Sequence, residues 1–167
     1  MRKTPGITII HGAALAVLVV SALLFDSCSS PKYHYQDGYF STEAADYDAY
    51  GWKEYVTVYV SSGQILFVEF NAFNKAGFIM SWDIDNMRDM NTSEGTYPNA
   101  YTRYYGEKLL SNQGIQDIDV LSGATHSFLT FSQLAEAVLD NAQLGEASTR
   151  IVTLEISNPY YREKAEY

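Results

Sequence analysis

The tightest constraint on this chain is a strict two-residue alternation. From Tyr55 to Val60, the residues Val56, Val58 and Val60 alternate with Tyr55, Thr57 and Tyr59. An extended chain sends successive side chains to opposite faces, so this pattern predicts a strand with one apolar face. Ser61-Ser62-Gly63-Gln64 then reads as a turn, and Ile65 to Phe73 as the returning strand of a hairpin.

The remaining elements are read around that hairpin. Asp37-Gly38-Tyr39-Phe40-Ser41-Thr42 is a turn entering a first strand. Asp83 to Met90 predicts a short helix, and Pro98 suits the first turn of another that runs to about Asn112. Asp117 to Leu121 has the look of a short strand. From Ser127, the residues Phe128, Phe131, Leu134, Ala135, Val138, Leu139 and Ala142 recur at helical spacing, and Gly145 is placed to end that helix. Arg150 to Ile156 completes the pattern as a last strand. Strands, then helices, then strand, helix and strand predict an α+β domain with an antiparallel sheet.

The N-terminus reads as an address. Met1-Arg2-Lys3 is a positive start, Ala13 to Phe25 is apolar apart from Ser21, and Asp26-Ser27-Cys28 follows. This order matches an export signal, residues 1–27. A cysteine directly after a small residue suggests a lipoprotein signal, with Cys28 acylated and serving as the membrane anchor. Phe25 and Asp26 depart from the commonest form of such a site, and the alternative is an uncleaved membrane anchor. Either way the domain sits outside the cytoplasm. Residues 28–36 read as a flexible tether, residues 37–157 as one domain, and residues 158–167 as a C-terminal tail.

Charge and cysteine content exclude several functions. The net charge is −9, with no run of Lys or Arg beyond the first three residues, so nucleic acid is an unsuitable partner. The single cysteine leaves no intrachain disulfide and no cysteine-rich metal site. Asp83, Asp85 and Asp89 lack the glycine and terminal glutamate of a calcium loop and read as a charged helix start. The three histidines, His11, His34 and His126, offer little material for a hydrolytic triad.

The chemistry concentrates between residues 119 and 127. Asp119-Val120-Leu121-Ser122-Gly123-Ala124-Thr125-His126-Ser127 is a glycine-containing turn that opens a helix. Such a start points backbone N–H groups at the positive end of the helix dipole and suits a phosphate. Gly123 allows a backbone geometry or a close approach that a side chain would block. Thr125 adds a hydroxyl there. The same residues could equally form an ordinary N-cap.

The run Asp-x-x-Ser-Gly-Ala-Thr resembles the flavinylation motif of the FMN-binding domain family. That family includes subunits of sodium-pumping NADH:quinone oxidoreductase and of the related Rnf complex, as well as stand-alone membrane lipoproteins. The resemblance extends to Asp37-Gly38-Tyr39, Gly51-Trp52-Lys53, Ser62-Gly63-Gln64-Ile65, Ser81-x-Asp83, Met90 and Leu134-Ala135-Glu136-Ala137. The chain is also similar to spirochaete-type lipoprotein antigens of the same family.

This resemblance implies a curved antiparallel sheet flanked by helices. It further implies that a magnesium-dependent flavin transferase joins the FMN half of FAD to Thr125 as a phosphoester and releases AMP. Ser122, Gly123, Ala124, His126 and Ser127 would then surround the phosphate or ribityl chain. Asp119 would serve transferase recognition or local structure. Trp82 and Met90, with Tyr101, Tyr104 and Tyr105, lie nearest in sequence to the family's flavin-facing segments. Trp82 and one of the tyrosines would stack on the flavin ring, against the alternative that all of them only pack. The implied role is electron transfer with a membrane-bound donor or acceptor, rather than turnover of a small substrate. A binding module or surface lipoprotein antigen of the same fold, without flavin, is the alternative.

Overall fold

The structure is a computed structural model and describes residues 34–155. The signal, Cys28, residues 29–33 of the tether, residues 156–157 and the tail lie outside the described residues.

Strand β1 (Gly38–Ala44), strand β2 (Lys53–Ser61) and strand β3 (Gln64–Phe73) are followed by a short 3-10 turn (Met80–Trp82). Helix α1 (Ile84–Glu94), helix α2 (Pro98–Asn112), helix α3 (Thr125–Leu144) and strand β4 (Arg150–Val152) complete the order. The fold is α+β, with an open sheet in the order β3-β2-β1-β4.

The hairpin forms as its alternation requires. Val56, Val58 and Val60 are fully buried. Val56 faces Phe70 across the ladder, Val58 faces Val68 and Val60 faces Ile65. Ser62 and Gly63 both adopt positive φ, at 55° and 72°, the geometry of a tight two-residue hairpin turn. The Asp37 carboxylate accepts the Gly63 N–H at 2.9 Å, and this contact holds its pKa below the usual range. A register shift between Tyr59 and Val60 bends the ladder, as bulges do.

Helices α2 and α3 cover the valine face. Phe131, Leu134 and Val138 of α3 are fully buried, and Phe128 is half-buried against the core. Phe131 sits between Phe70, at 5.0 Å between ring centroids, and Tyr105, at 5.2 Å. Gly145, at φ 76°, ends α3 as expected.

Three expectations are corrected. Asp117 to Leu121 is not a strand: Asp117 takes a left-handed φ of 59°, incompatible with extension, and only Ile118 within the run is buried. The sheet is mixed, because β4 pairs with β1 in parallel, and this last strand ends at Val152. Tyr35, placed in the tether by sequence, belongs to the core: its ring is buried and its hydroxyl donates to the Gln113 carbonyl at 2.9 Å. No helix among the described residues is long and apolar enough to cross a membrane.

Candidate functional site

The start of α3 is the centre of the site. Ala124 takes the cap position at φ −125° and ψ 29°, and its side chain makes no cap hydrogen bond. The ordinary N-cap reading is thereby set aside: neither Ser122 nor Thr125 caps α3. The first intrahelical bond runs from Phe128 N to Ala124 O at 3.0 Å. The amides of Thr125, His126 and Ser127 precede it, at the positive end of the dipole.

The turn before the helix is fixed from two sides. The buried Tyr105 hydroxyl donates to Ala124 O at 3.3 Å and accepts from Leu121 N at 3.1 Å. Gly123 has a φ of 77°, and a Cβ there would lie 2.4 Å from the Glu94 carbonyl oxygen. Only glycine lets the end of α1 close over the motif.

Thr125 is exposed and opens onto a cavity of about 630 Å³. Trp52, Met80, Met90 and Tyr101 give it apolar walls, while Asp48, Glu54, Asp89 and Glu94 give it carboxyl groups. Gly123, Ala124, His126 and Ser127 reach this cavity. Asp119 and Ser122 are exposed on the turn and are not among its lining residues. Burial holds the His126 imidazole below its ordinary pKa, with Asp48 pulling weakly the other way. Burial also raises the Tyr101 phenol, which stays neutral and contacts Met80 Sδ at 3.6 Å.

The ring-stacking candidates separate. Met90 and Tyr101 line the cavity, whereas Trp82 does not. Trp82 is exposed, meets Phe78 edge-on at 6.3 Å and lines a different groove beside Arg103. Tyr105 is fully enclosed in the core and Tyr104 packs on it edge-on at 5.4 Å. Asp83 caps α1, and Asp85 and Asp89 pair with Arg88, in keeping with a charged helix start.

Sequence reading did not place Trp52, Asp48 or Glu54 in the site, although Trp52 stands in a family-like segment. Asp48 Oδ1 accepts the N–H groups of Tyr50 at 2.9 Å and Trp52 at 2.8 Å, a local turn that presents the indole to the cavity. Glu54 carried a legible signal, because it extends the Val56, Val58, Val60 series by one step toward the N-terminus. The alternation of valines predicts the strand from Tyr55, one residue short of Glu54.

No family model matches the chain. The 15 kDa lipoprotein of Treponema pallidum is 31% identical over 125 residues, which is 75% of this chain and 87% of that protein. This chain belongs to the family of that lipoprotein. The crystal structure of the CPE2226 protein of Clostridium perfringens superposes with a TM-score of 0.69 at 34% identity, covering 72% of this chain and 99% of that one. The shared fold spans the whole of that solved chain. The pattern around Cys28 agrees with a relative called a lipoprotein.

The residues at the start of α3 fit a flavin phosphoester on several counts. A reachable hydroxyl stands at a helix start whose cap residue supplies no side-chain acceptor, and the adjoining cavity falls within the roughly 300–1,000 Å³ of small-molecule sites. Indole, phenol and thioether groups offer faces for a flat ring. The lining contains neither Lys nor Arg, so a phosphate here would depend on backbone N–H groups and the helix dipole.

Proposed function

We propose that this chain is a membrane-anchored, extracytoplasmic lipoprotein that carries FMN on Thr125 and passes electrons through it. One observation carries the reading: the hydroxyl of the Asp119–Thr125 motif is exposed at an uncapped helix start, on the rim of a cavity of suitable size. Attachment forms a bond between Thr125 Oγ1 and the FMN phosphorus. The phosphoanhydride bond of FAD breaks, AMP leaves, and the hydroxyl proton is lost. A magnesium-dependent flavin transferase is the implied partner. Ser127 and His126 would meet the phosphate with their amides, and Trp52, Tyr101 and Met90 would bound the ring. When bound, FMN supplies reversible one- and two-electron transfer.

A second reading has its own support. The name of the Treponema pallidum relative speaks only of a lipoprotein, and the acidic lining does not favour an anion. A surface binding module of the same fold fits both observations.

Co-expression with a flavin transferase separates the two. The wild type should gain the mass of one FMN unit, and Thr125→Val, which keeps the volume and removes the nucleophile, should gain none. Thr125→Ser should retain part of the attachment, and Ser122→Ala should leave it intact. Attachment to the Val variant would move the site elsewhere. A wild type that stays colourless beside a competent transferase and FAD would leave the binding module as the reading.

A further inference from the structure

We propose that Glu54 exchanges a proton with the occupant of the Thr125 cavity when that occupant changes charge. The inference rests on the carrier reading and adds to it a proton path.

The geometry comes first. Glu54 lies on the helix-facing side of β2, paired across the ladder with Ala72, too small to cover it. Its side chain lines the large cavity of about 630 Å³ and also a smaller one of about 130 Å³. Asp48, Trp52 and His126 are the other residues shared by the two cavities. A carboxyl in this position can face an occupant on one side and take up solvent protons on the other.

Thr130 stands beside it on the motif helix. The Thr130 hydroxyl lines the smaller cavity and donates to the Ser127 carbonyl at 3.2 Å. A hydroxyl has a single proton to give. Spent on Ser127 O, that proton does not support a Glu54 carboxylate; turned toward Glu54, it stabilises one.

The electrostatics agree. Glu54 is half-buried, open only to the two cavities, and the protein atoms around its carboxyl push it up to about 8, with a smaller contribution in the same direction from Asp48. A Thr130 hydroxyl turned to donate pulls the other way without offsetting burial. The other titratable groups facing the two cavities are Asp46, Tyr47, Tyr50, Asp89, Glu94, Tyr101 and His126. None is a lysine or an arginine, so no fixed cation in either lining favours the carboxylate.

The step balances simply. An electron reaches the occupant from an external, membrane-bound redox donor, and the Glu54 O–H bond breaks as its proton follows. The carboxylate, held by Thr130, regains a proton from water through the smaller cavity.

Two measurements on the full chain test this. The flavin-free protein, labelled with 13C at the glutamate carboxyls, is titrated by NMR. One glutamate should titrate near pH 8, vanish in Glu54→Gln and move toward acid in Asp48→Asn. If every glutamate titrates in the ordinary range near about 4.3, the proposal is overturned. The midpoint potential of the flavin-loaded protein is then followed against pH. The wild type should show a break in slope near pH 8 that Glu54→Gln lacks. Identical slopes in two flavin-loaded proteins overturn the proton path alone. No flavin on either protein, with the high glutamate titration intact, overturns the carrier reading, and the path falls with it.

Discussion

Two helix starts in this molecule are built in opposite ways. Helix α1 begins conventionally: Asp83, in extended geometry, accepts the Asn86 N–H at 3.0 Å, and Asp85 adds charge to the first turn. Helix α3 begins at Ala124 with no side-chain acceptor and no acidic residue in its first turn. The chain can therefore close a helix start with a side chain, and it does not do so at the one bearing the motif. The start of α2 at Tyr97 also lacks a side-chain cap, but its first turn carries Pro98, which has no N–H to offer. The closed helix also serves the open one, since the Glu94 carbonyl at its end lies over Gly123. A helix start without a side-chain cap suits an anion at the dipole's positive end, and this contrast is the physical support for the Thr125 proposal.

The largest disruption should come from below the open start. Phe131 is fully buried between Phe70 and Tyr105, and Tyr105 holds the turn through Leu121 and Ala124. Phe131→Ala should cost about 3–5 kcal/mol in denaturant unfolding. Tyr105 would lose its stacked neighbour, so flavin attachment in the folded fraction should fall as well. Full attachment at unchanged rate would show that the start keeps its geometry without this support.

A smaller effect should separate two glycines that both have positive φ. Gly123→Ala meets backbone strain and also the Glu94 carbonyl, which a Cβ would approach to 2.4 Å. It should cost about 1–3 kcal/mol and lower attachment. Gly95→Ala meets strain alone, because nothing lies within 4 Å of its Cβ position. It should cost about 1 kcal/mol and leave attachment intact. Equal losses in both properties would remove the special role of the contact between α1 and the motif.

How much of this was legible follows from the range of each interaction. The hairpin, α2 from Pro98 and the buried face of α3 depend on local periodicity and turn chemistry, and they could be read residue by residue. Gly123 was legible as a glycine that a side chain would not replace. Its neighbour, Glu94, was not, because that contact is tertiary. Trp82 and Trp52 show the same boundary: both are aromatic and both lie near family-like segments, yet only Trp52 lines the cavity, through a turn built on Asp48. The parallel pairing of β4 with β1 likewise depends on where α3 delivers the chain. Glu54 was legible in principle, as a carboxyl on the apolar side of an alternating strand.

The smallest effects decide why the α3 start is open. Asp83→Ala removes a working cap and should cost about 1 kcal/mol, with attachment at Thr125 unchanged. Ala124→Ser supplies the missing oxygen at the other start. A capping side chain reaches back to the first turn from extended backbone, as Asp83 does at ψ 95°. Ala124 instead has a ψ of 29°, and its carbonyl is held by Tyr105. The serine hydroxyl is therefore poorly aimed, and Ala124→Ser should change unfolding free energy by less than about 0.5 kcal/mol, with attachment retained. A gain of about 1 kcal/mol together with slower attachment would mean that the absent oxygen alone kept the start open. A null effect places the openness in the backbone of the Leu121–Ala124 turn, where Gly123 and Tyr105 fix it.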